Sequence, residues 1–345
     1  MAESMFADLA AKVFAEVTGG PQHSSRGAVW QAVEASGLPV LLLPENKGGA
    51  GDVFSEATEV MIALGASGAN LPLADTIIAN RLADSAGLEA SSLPKAILLE
   101  PEARGSLASS GGRTAWSGKG VCHWAGFAGE AIGLVELPDG KFGVAEMDLS
   151  AATRTGESLS GSPLAWLETD RPLPIRRCAA APSNAGSEAV ALAALLASAE
   201  MVGAMERACE MTIEYANTRR QFGRAISKFQ AIQHMTARMA SEAAASRAAV
   251  EFAASQFGSG NPLWGASCAK ARASEAAGII AAGAHQIHGA IGFTREYQLH
   301  RHTCKLLALR ERSGSETYWN EKISAALLNN KRDEMWACLV EGLVI

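Results

Sequence analysis

The order in which helix-like and strand-like stretches follow one another limits this chain to few folds. From Ser183 onward, alanine-rich stretches carry apolar residues at helical spacing. They cover 187–218, 231–257, 263–288, 296–312 and 317–329, with breaks near Phe222-Gly223, at Gly258, Gly260 and Pro262, at Gly289 and at Gly314. Four to five long helices with short links predict an antiparallel bundle over 183–345. Residues 1–92 also read as helices, interrupted by an apolar run from Leu38 to Pro44 and a turn from Lys47 to Gly51. The stretch 93–182 differs: alanine thins, and AILLE (96–100), AIGLVEL (131–137) and FGVAEMDL (142–149) are strand-like runs separated by turn signals such as Pro138-Asp139-Gly140. The expectation is a mainly α protein with an N-terminal helical domain, a small antiparallel β domain in the middle and a C-terminal four- to five-helix bundle. Strand and helix do not alternate, which argues against a doubly wound nucleotide-binding fold.

Composition narrows the function classes. The formal net charge is −6 and no basic run appears, so nucleic acid is not an expected partner. The six cysteines (122, 178, 209, 268, 304 and 338) form no CxxC pair and read as free thiols of a reducing, cytoplasmic compartment. The N-terminus lacks a basic head followed by an apolar stretch, so no secretory signal is expected. No uninterrupted run approaches the roughly 20 apolar residues of a membrane span, and 189–197 reads as buried helix. His285 and His288, and His300 and His302, lack the HExxH arrangement, so no metal is expected.

Three segments carry chemistry. Arg219, Arg220 and Arg224 cluster where a helix ends, which suits an anion held through paired hydrogen bonds; an ordinary solvated helix end is the alternative. Gln286-Ile287-His288-Gly289-Ala290-Ile291-Gly292-Phe293 closes the next-but-one helix, where glycine either caps the helix or lets a ligand approach the backbone. Pro44-Glu45-Asn46-Lys47-Gly48-Gly49-Ala50-Gly51 is a glycine turn.

Taken together, these strings resemble signatures of the acyl-CoA dehydrogenase family. Arg219, Phe222, Gly223, Ile226 and Gln230 match its R-x-x-F-G-x-x-I-x-x-x-Q string. Gln286, Gly289, Gly292 and Phe293, followed by Glu296-Tyr297, are similar to its glutamine–glycine stretch, with Ala290 in place of a glycine. Pro44 to Gly51 resembles its N-terminal turn, so the likeness runs from about residue 25 to about 325. The resemblance implies FAD-dependent dehydrogenation of an acyl-CoA thioester to the trans-2-enoyl-CoA, with electrons leaving to an electron-transfer flavoprotein. It implies a homo- or hetero-oligomer, such as a dimer of dimers, in which the Arg219–Phe222 loop reaches the FAD of a neighbouring subunit. Arg219 would hold the FAD pyrophosphate, Gln230 its nucleotide portion, and Gln286 and Gly289 would add contacts. Trp124 would lie beside the flavin ring, a core tryptophan being the alternative. Ser315 matches a flavin-contacting threonine.

The base departs from the usual pattern. Counted from Glu296-Tyr297, the loop that carries the family's glutamate falls on Arg312-Ser313-Gly314-Ser315, with Ser313 at the catalytic position. The resemblance also implies a second solution, used by isovaleryl-CoA dehydrogenases, with the base on a bundle helix. On the helix leading to Gln286 the candidate is Glu275, among the small apolar residues Ala271, Ala276, Ala277, Gly278 and Ile279; a surface pair with Arg272 is the alternative. Glu311 and Glu316 are rivals, and the backbone N–H of Ser313 remains able to polarise a thioester carbonyl. The form of the glycine stretch is similar to subunits acting on steroid or other bulky acyl groups. A non-catalytic FAD-binding or scaffold subunit of a heteromeric enzyme, and a flavin oxidase or monooxygenase of the same fold, stay open.

Overall fold

The structure is a computed structural model that describes residues 5–19, 26–110, 113–152, 154–258 and 260–329. The expected fold class holds. Helices α1 (Met5–Gly19), α2 (Arg26–Ala35), α3 (Phe54–Ser67) and α4 (Leu73–Ser85) precede eight strands. The strands are β1 (Ala96–Leu98), β2 (Ala103–Ser110), β3 (Arg113–His123), β4 (Glu130–Glu136), β5 (Phe142–Asp148), β6 (Thr155–Glu157), β7 (Pro163–Leu167) and β8 (Leu173–Ala180). Then come α5 (Ala185–Thr218), a hairpin of β9 (Arg220–Gln221) and β10 (Arg224–Ala225), α6 (Gln230–Ser255), α7 (Pro262–His288), α8 (Leu299–Glu311) and α9 (Glu316–Asn329).

Contacts divide the chain into two compact units: Met1–Thr18 with Thr58–Ala69 and Ala194–Ile345, and Gly19–Ala57 with Asn70–Ala193. In the second unit the sheet runs β1-β4-β5-β8-β3-β7-β6, with β2 paired to β3. Every pair is antiparallel except β1 with β4, where Ala96 faces Ala131 in parallel register, so the sheet is mixed. A parallel neighbour needs a crossover, and β2 with β3 supplies it. The sheet's core gathers Leu98, Trp116, Cys122, Trp124, Met147 and Leu173. Helix α4 packs on β1, β4 and β5 and is buried almost all round; its Asn80 is satisfied by donating to the carbonyls of Pro39 (2.9 Å) and Ser91 (2.8 Å).

In the first unit the core is built from alanines on α5, α6 and α7 with methionines between them: Met201, Met205, Met211 and Met239. Small faces allow close helix approach, and the flexible thioethers fill what remains. Part of α5 is long and apolar enough to cross a membrane by length and composition, but 89% of that stretch is buried inside the protein, as in a core helix. The five described cysteines are free thiols; Cys338 lies outside the described residues.

Candidate active site

Two helix junctions meet at one end of the bundle. The C-terminal turn of α5 and that of α7 are joined by Tyr215, which stacks on His288 with ring centroids 4.5 Å apart. His288 Nε2 in turn pairs with the hydroxyl of Tyr297 at 3.2 Å, and burial holds the His288 imidazole below its ordinary range. The α5–α6 connection therefore lies beside the end of α7.

The α5–α6 connection is a tight hairpin. Phe222 (φ 51°) and Gly223 (φ 79°) both take left-handed backbone conformations, the requirement of a two-residue turn, and Arg224 pairs with Gln221 across it. Ile226 N–H donates to the Arg219 carbonyl at 2.9 Å, closing the hairpin at its base. Phe222 is 89% exposed and meets the ring of Phe229 edge to face. Arg224 lies over the Phe229 ring at 4.3 Å. The side chains of Arg219 and Arg220 are exposed, and among the described residues no carboxylate pairs with either. Gln230 is exposed at the first turn of α6.

An open groove of about 760 Å³ runs along the last three turns of α7 and the facing side of α8, lined by Gly278, His285, Gln286, Gly289, Phe293 and Arg310. A second groove of about 520 Å³ lies between α6 and α7 and shares Gly278, Ala282 and Gln286 with the first. Gly289 (φ 63°) ends α7 with open space where a side chain would stand, so its backbone is accessible. His285 pairs with Thr303 at 2.9 Å and stacks on Phe293 at 4.2 Å. Burial first, then the nearby His288 and His300, hold His285 below the usual imidazole range. Arg310 lies over Gly278 and pairs with Glu316 at 2.9 Å, so this rival base is engaged in an ion pair on the groove wall, while Glu311 is exposed.

The loop between α8 and α9 is tightly held. Ser313 is buried in a left-handed conformation (φ 56°), and its carbonyl accepts from Trp319 Nε1 at 2.8 Å. Ser315 caps α9, its hydroxyl accepting from Tyr318 N–H at 3.3 Å.

Trp124 and Glu275 line neither groove. Trp124 is 1% exposed inside the sheet core, beside Phe127 and beneath Arg26. The side chain of Glu275, the base candidate with a surface pair with Arg272 as its alternative, is 57% exposed and does bond to Arg272 at 2.7 Å. Helical geometry explains the exposure. Ala273, Ala276, Ala277 and Ile280 face the core, and residue 275 projects from the opposite side. Arg272 also pairs with Glu242 of α6, so Glu275 belongs to a charged strip along that outer side. Sequence reasoning missed Arg310 and His285 as groove residues and gave no role to Lys270, a buried lysine of α7. Their only signal was position near a helix end or in an otherwise alanine-rich face.

Comparison with known proteins agrees with this architecture. A model of the acyl-CoA dehydrogenase C-terminal domain matches residues 185–328. Among solved structures, the ChsE4-ChsE5 complex from Mycobacterium tuberculosis superposes with a TM-score of 0.81 at 20% identity, covering 96% of this chain and 99% of that chain. Butyryl-CoA dehydrogenase from Megasphaera elsdenii superposes at 0.76 with 19% identity, covering 94% and 97%. Acyl-CoA dehydrogenase IpdE2 of Mycobacterium tuberculosis is 31% identical over 288 residues, 80% of each chain. Similarity at that level over four-fifths of both sequences, on the same fold, means that this chain belongs to the acyl-CoA dehydrogenase family.

Proposed function

We propose that this chain binds FAD and oxidises an acyl-CoA thioester between its α and β carbons, giving the trans-2-enoyl-CoA. One arrangement carries the reading: exposed Arg219 and Arg220, with no acidic partner among the described residues, stand at the same bundle end as an open groove edged by Gln286 and Gly289. Guanidinium groups suit a pyrophosphate, an exposed amide suits a nucleotide, and a glycine backbone permits close approach. Arg219, Phe222, Gln230, Gln286 and Gly289 are the residues that would hold FAD, with those of the hairpin serving a neighbouring subunit. The Trp124 indole, enclosed by the sheet core, fits a packing role better than a flavin contact.

A bound FAD supplies the hydride acceptor. The substrate loses a proton from the α carbon and a hydride from the β carbon. Glu275 is the carboxylate proposed to take the proton. In the single chain it is exposed, so reaching an α carbon shielded from water requires a neighbouring subunit or the acyl chain to cover it. The Ser313 backbone N–H is proposed to polarise the thioester carbonyl, stabilising charge as the proton leaves. An electron-transfer flavoprotein is the proposed electron acceptor, and the enzyme is proposed to work in the cytoplasm as a homo- or hetero-oligomer.

The chain expressed alone should be yellow, and anaerobic titration with acyl-CoA esters of short, long and polycyclic acyl groups should bleach it. Glu275→Gln should keep the colour and lose bleaching rate by about 10²–10⁴-fold. Colourless protein overturns the FAD reading, whereas unchanged bleaching in Glu275→Gln removes only the base assignment.

Glu275's exposure and the serine at 313 favour a second reading, in which this chain is the FAD-holding subunit of a heteromeric dehydrogenase and a partner chain supplies the base. It predicts yellow protein that no acyl-CoA bleaches until the partner chain is added.

A further inference from the structure

Lys270 has 0% of its surface exposed and sits a third of the way along α7. Its ammonium donates to Ser274 Oγ at 3.0 Å, to the carbonyl of Arg310 at 3.0 Å and to the carbonyl of Gly314 at 2.9 Å. An ammonium has three N–H donors, and these acceptors match them. Two of the three lie at either end of the α8–α9 loop, 40 and 44 residues away in sequence. Between them the Ser313 carbonyl is held by Trp319 Nε1. Ser313 and Gly314 are both left-handed, at φ 56° and 93°, and a side chain at 314 would meet Trp319 Nε1 at 2.5 Å. A non-glycine residue in that region persists only where its surroundings over-determine it, a pattern typical of functional loops. Lysine is also a costly way to satisfy two carbonyls, since desolvating an ammonium is unfavourable unless all its donors are met.

We propose that Lys270 is a positioning residue for acyl-CoA oxidation: it fixes the α8–α9 loop so that the Ser313 backbone meets the thioester in one orientation. This rests on the function proposed above, because it is that reading which brings the thioester to Ser313. Lys270 touches neither substrate nor cofactor. It acts through the loop, and charge-assisted hydrogen bonds at both loop ends restrict it more firmly than neutral donors would. Misplacement of a reacting group by about 1 Å costs about 10²-fold in rate, which sets the size of the effect.

The test uses the full-length holoprotein. Lys270→Met should retain FAD and show anaerobic flavin reduction slowed by about 10²-fold, with acyl-CoA affinity, read from the flavin spectral shift, changed by less than about 3-fold, since Lys270 contributes nothing to ground-state binding. Limited trypsin digestion should cut it after Arg310 or Arg312, where wild type resists. If Lys270→Met does not fold, Trp319→Phe, which frees the Ser313 carbonyl while keeping an aromatic ring in the same place, should give the same tryptic cuts and about a 10-fold slower reduction. A folded variant of either kind with wild-type reduction rate and wild-type protection overturns the proposal. If wild type itself is bleached by no acyl-CoA, the functional reading falls, and the clamp then stands or falls on tryptic protection alone.

Discussion

Lys305 of α8 reaches the carboxylate of Glu200 on α5 at 2.7 Å, with both side chains almost fully buried, and it also bonds the carbonyl of Ala69 at the end of α3. One ammonium thus ties α8 to α5 and to the segment that follows α3. Removing one partner strands the other charge in a low-dielectric core. Lys305→Met should lose about 3–5 kcal/mol of unfolding free energy. The double variant Lys305→Met/Glu200→Gln should lose markedly less, giving a coupling energy that urea denaturation of all four proteins measures.

His302 lies close by and gives the unit an acid sensitivity. Burial, then the charges of Lys305 and Arg207, push its imidazole down to about 4. In the unfolded chain the same group titrates near 6.5. The unfolded state therefore binds the proton first, so stability is whole above pH 6.5 and declines as pH falls toward about 4. The loss should be on the order of 3 kcal/mol from this group, and a His302→Gln protein should show a flatter fall between the two pH values in urea midpoints. His285 and His288, also held low by burial, add to the slope in the same direction.

Gly203 of α5 and Gly65 of α3 mark a crossing where backbones touch. A side chain at Gly203 would collide with the carbonyl of Ile62, and one at Gly65 with the carbonyl of Glu200. The obstacle is backbone rather than a flexible side-chain end, so it cannot step aside cheaply. Gly203→Ala should therefore destabilise by about 2–3 kcal/mol despite alanine's better helix propensity. Thermal unfolding of the two proteins decides it, and an unchanged midpoint would contradict the crossing.

Arg219 offers the most direct probe of the cofactor assignment. A charge-assisted pair with a pyrophosphate contributes about 1.5–3 kcal/mol, so Arg219→Ala should weaken FAD binding by roughly 10–100-fold. Its side chain is exposed and pairs with no carboxylate among the described residues, so the apoprotein's urea midpoint should not move. Flavin fluorescence on release reads the first quantity and far-ultraviolet circular dichroism the second.

How much was legible depended on the range of the forces involved. The bundle helices expected over 187–218, 231–257, 263–288 and 317–329 appear as Ala185–Thr218, Gln230–Ser255, Pro262–His288 and Glu316–Asn329, because alanine propensity and apolar periodicity act within a few residues. The segment expected at 296–312 starts later, at Leu299, because Gly289–Phe293 forms a 3-10 turn that carries the chain round. The strands β1, β4 and β5 were visible as apolar runs. Strand β2 (ARGSLASS) and the start of β3 (RTAWSG) were not, since they are polar and glycine-rich and become strands by pairing with each other.

Local sequence by itself determined the helices, their breaks, the Phe222-Gly223 turn and the motifs that mark the family, since each depends on neighbours a few residues apart. Only the tertiary structure decided which way a helical side chain faces and what a buried one holds. Glu275 has small apolar neighbours in sequence yet points outward, because residues adjacent along a helix project from different faces. Lys270 grips a loop that begins 40 residues later, a contact that exists only once α7, α8 and α9 have packed.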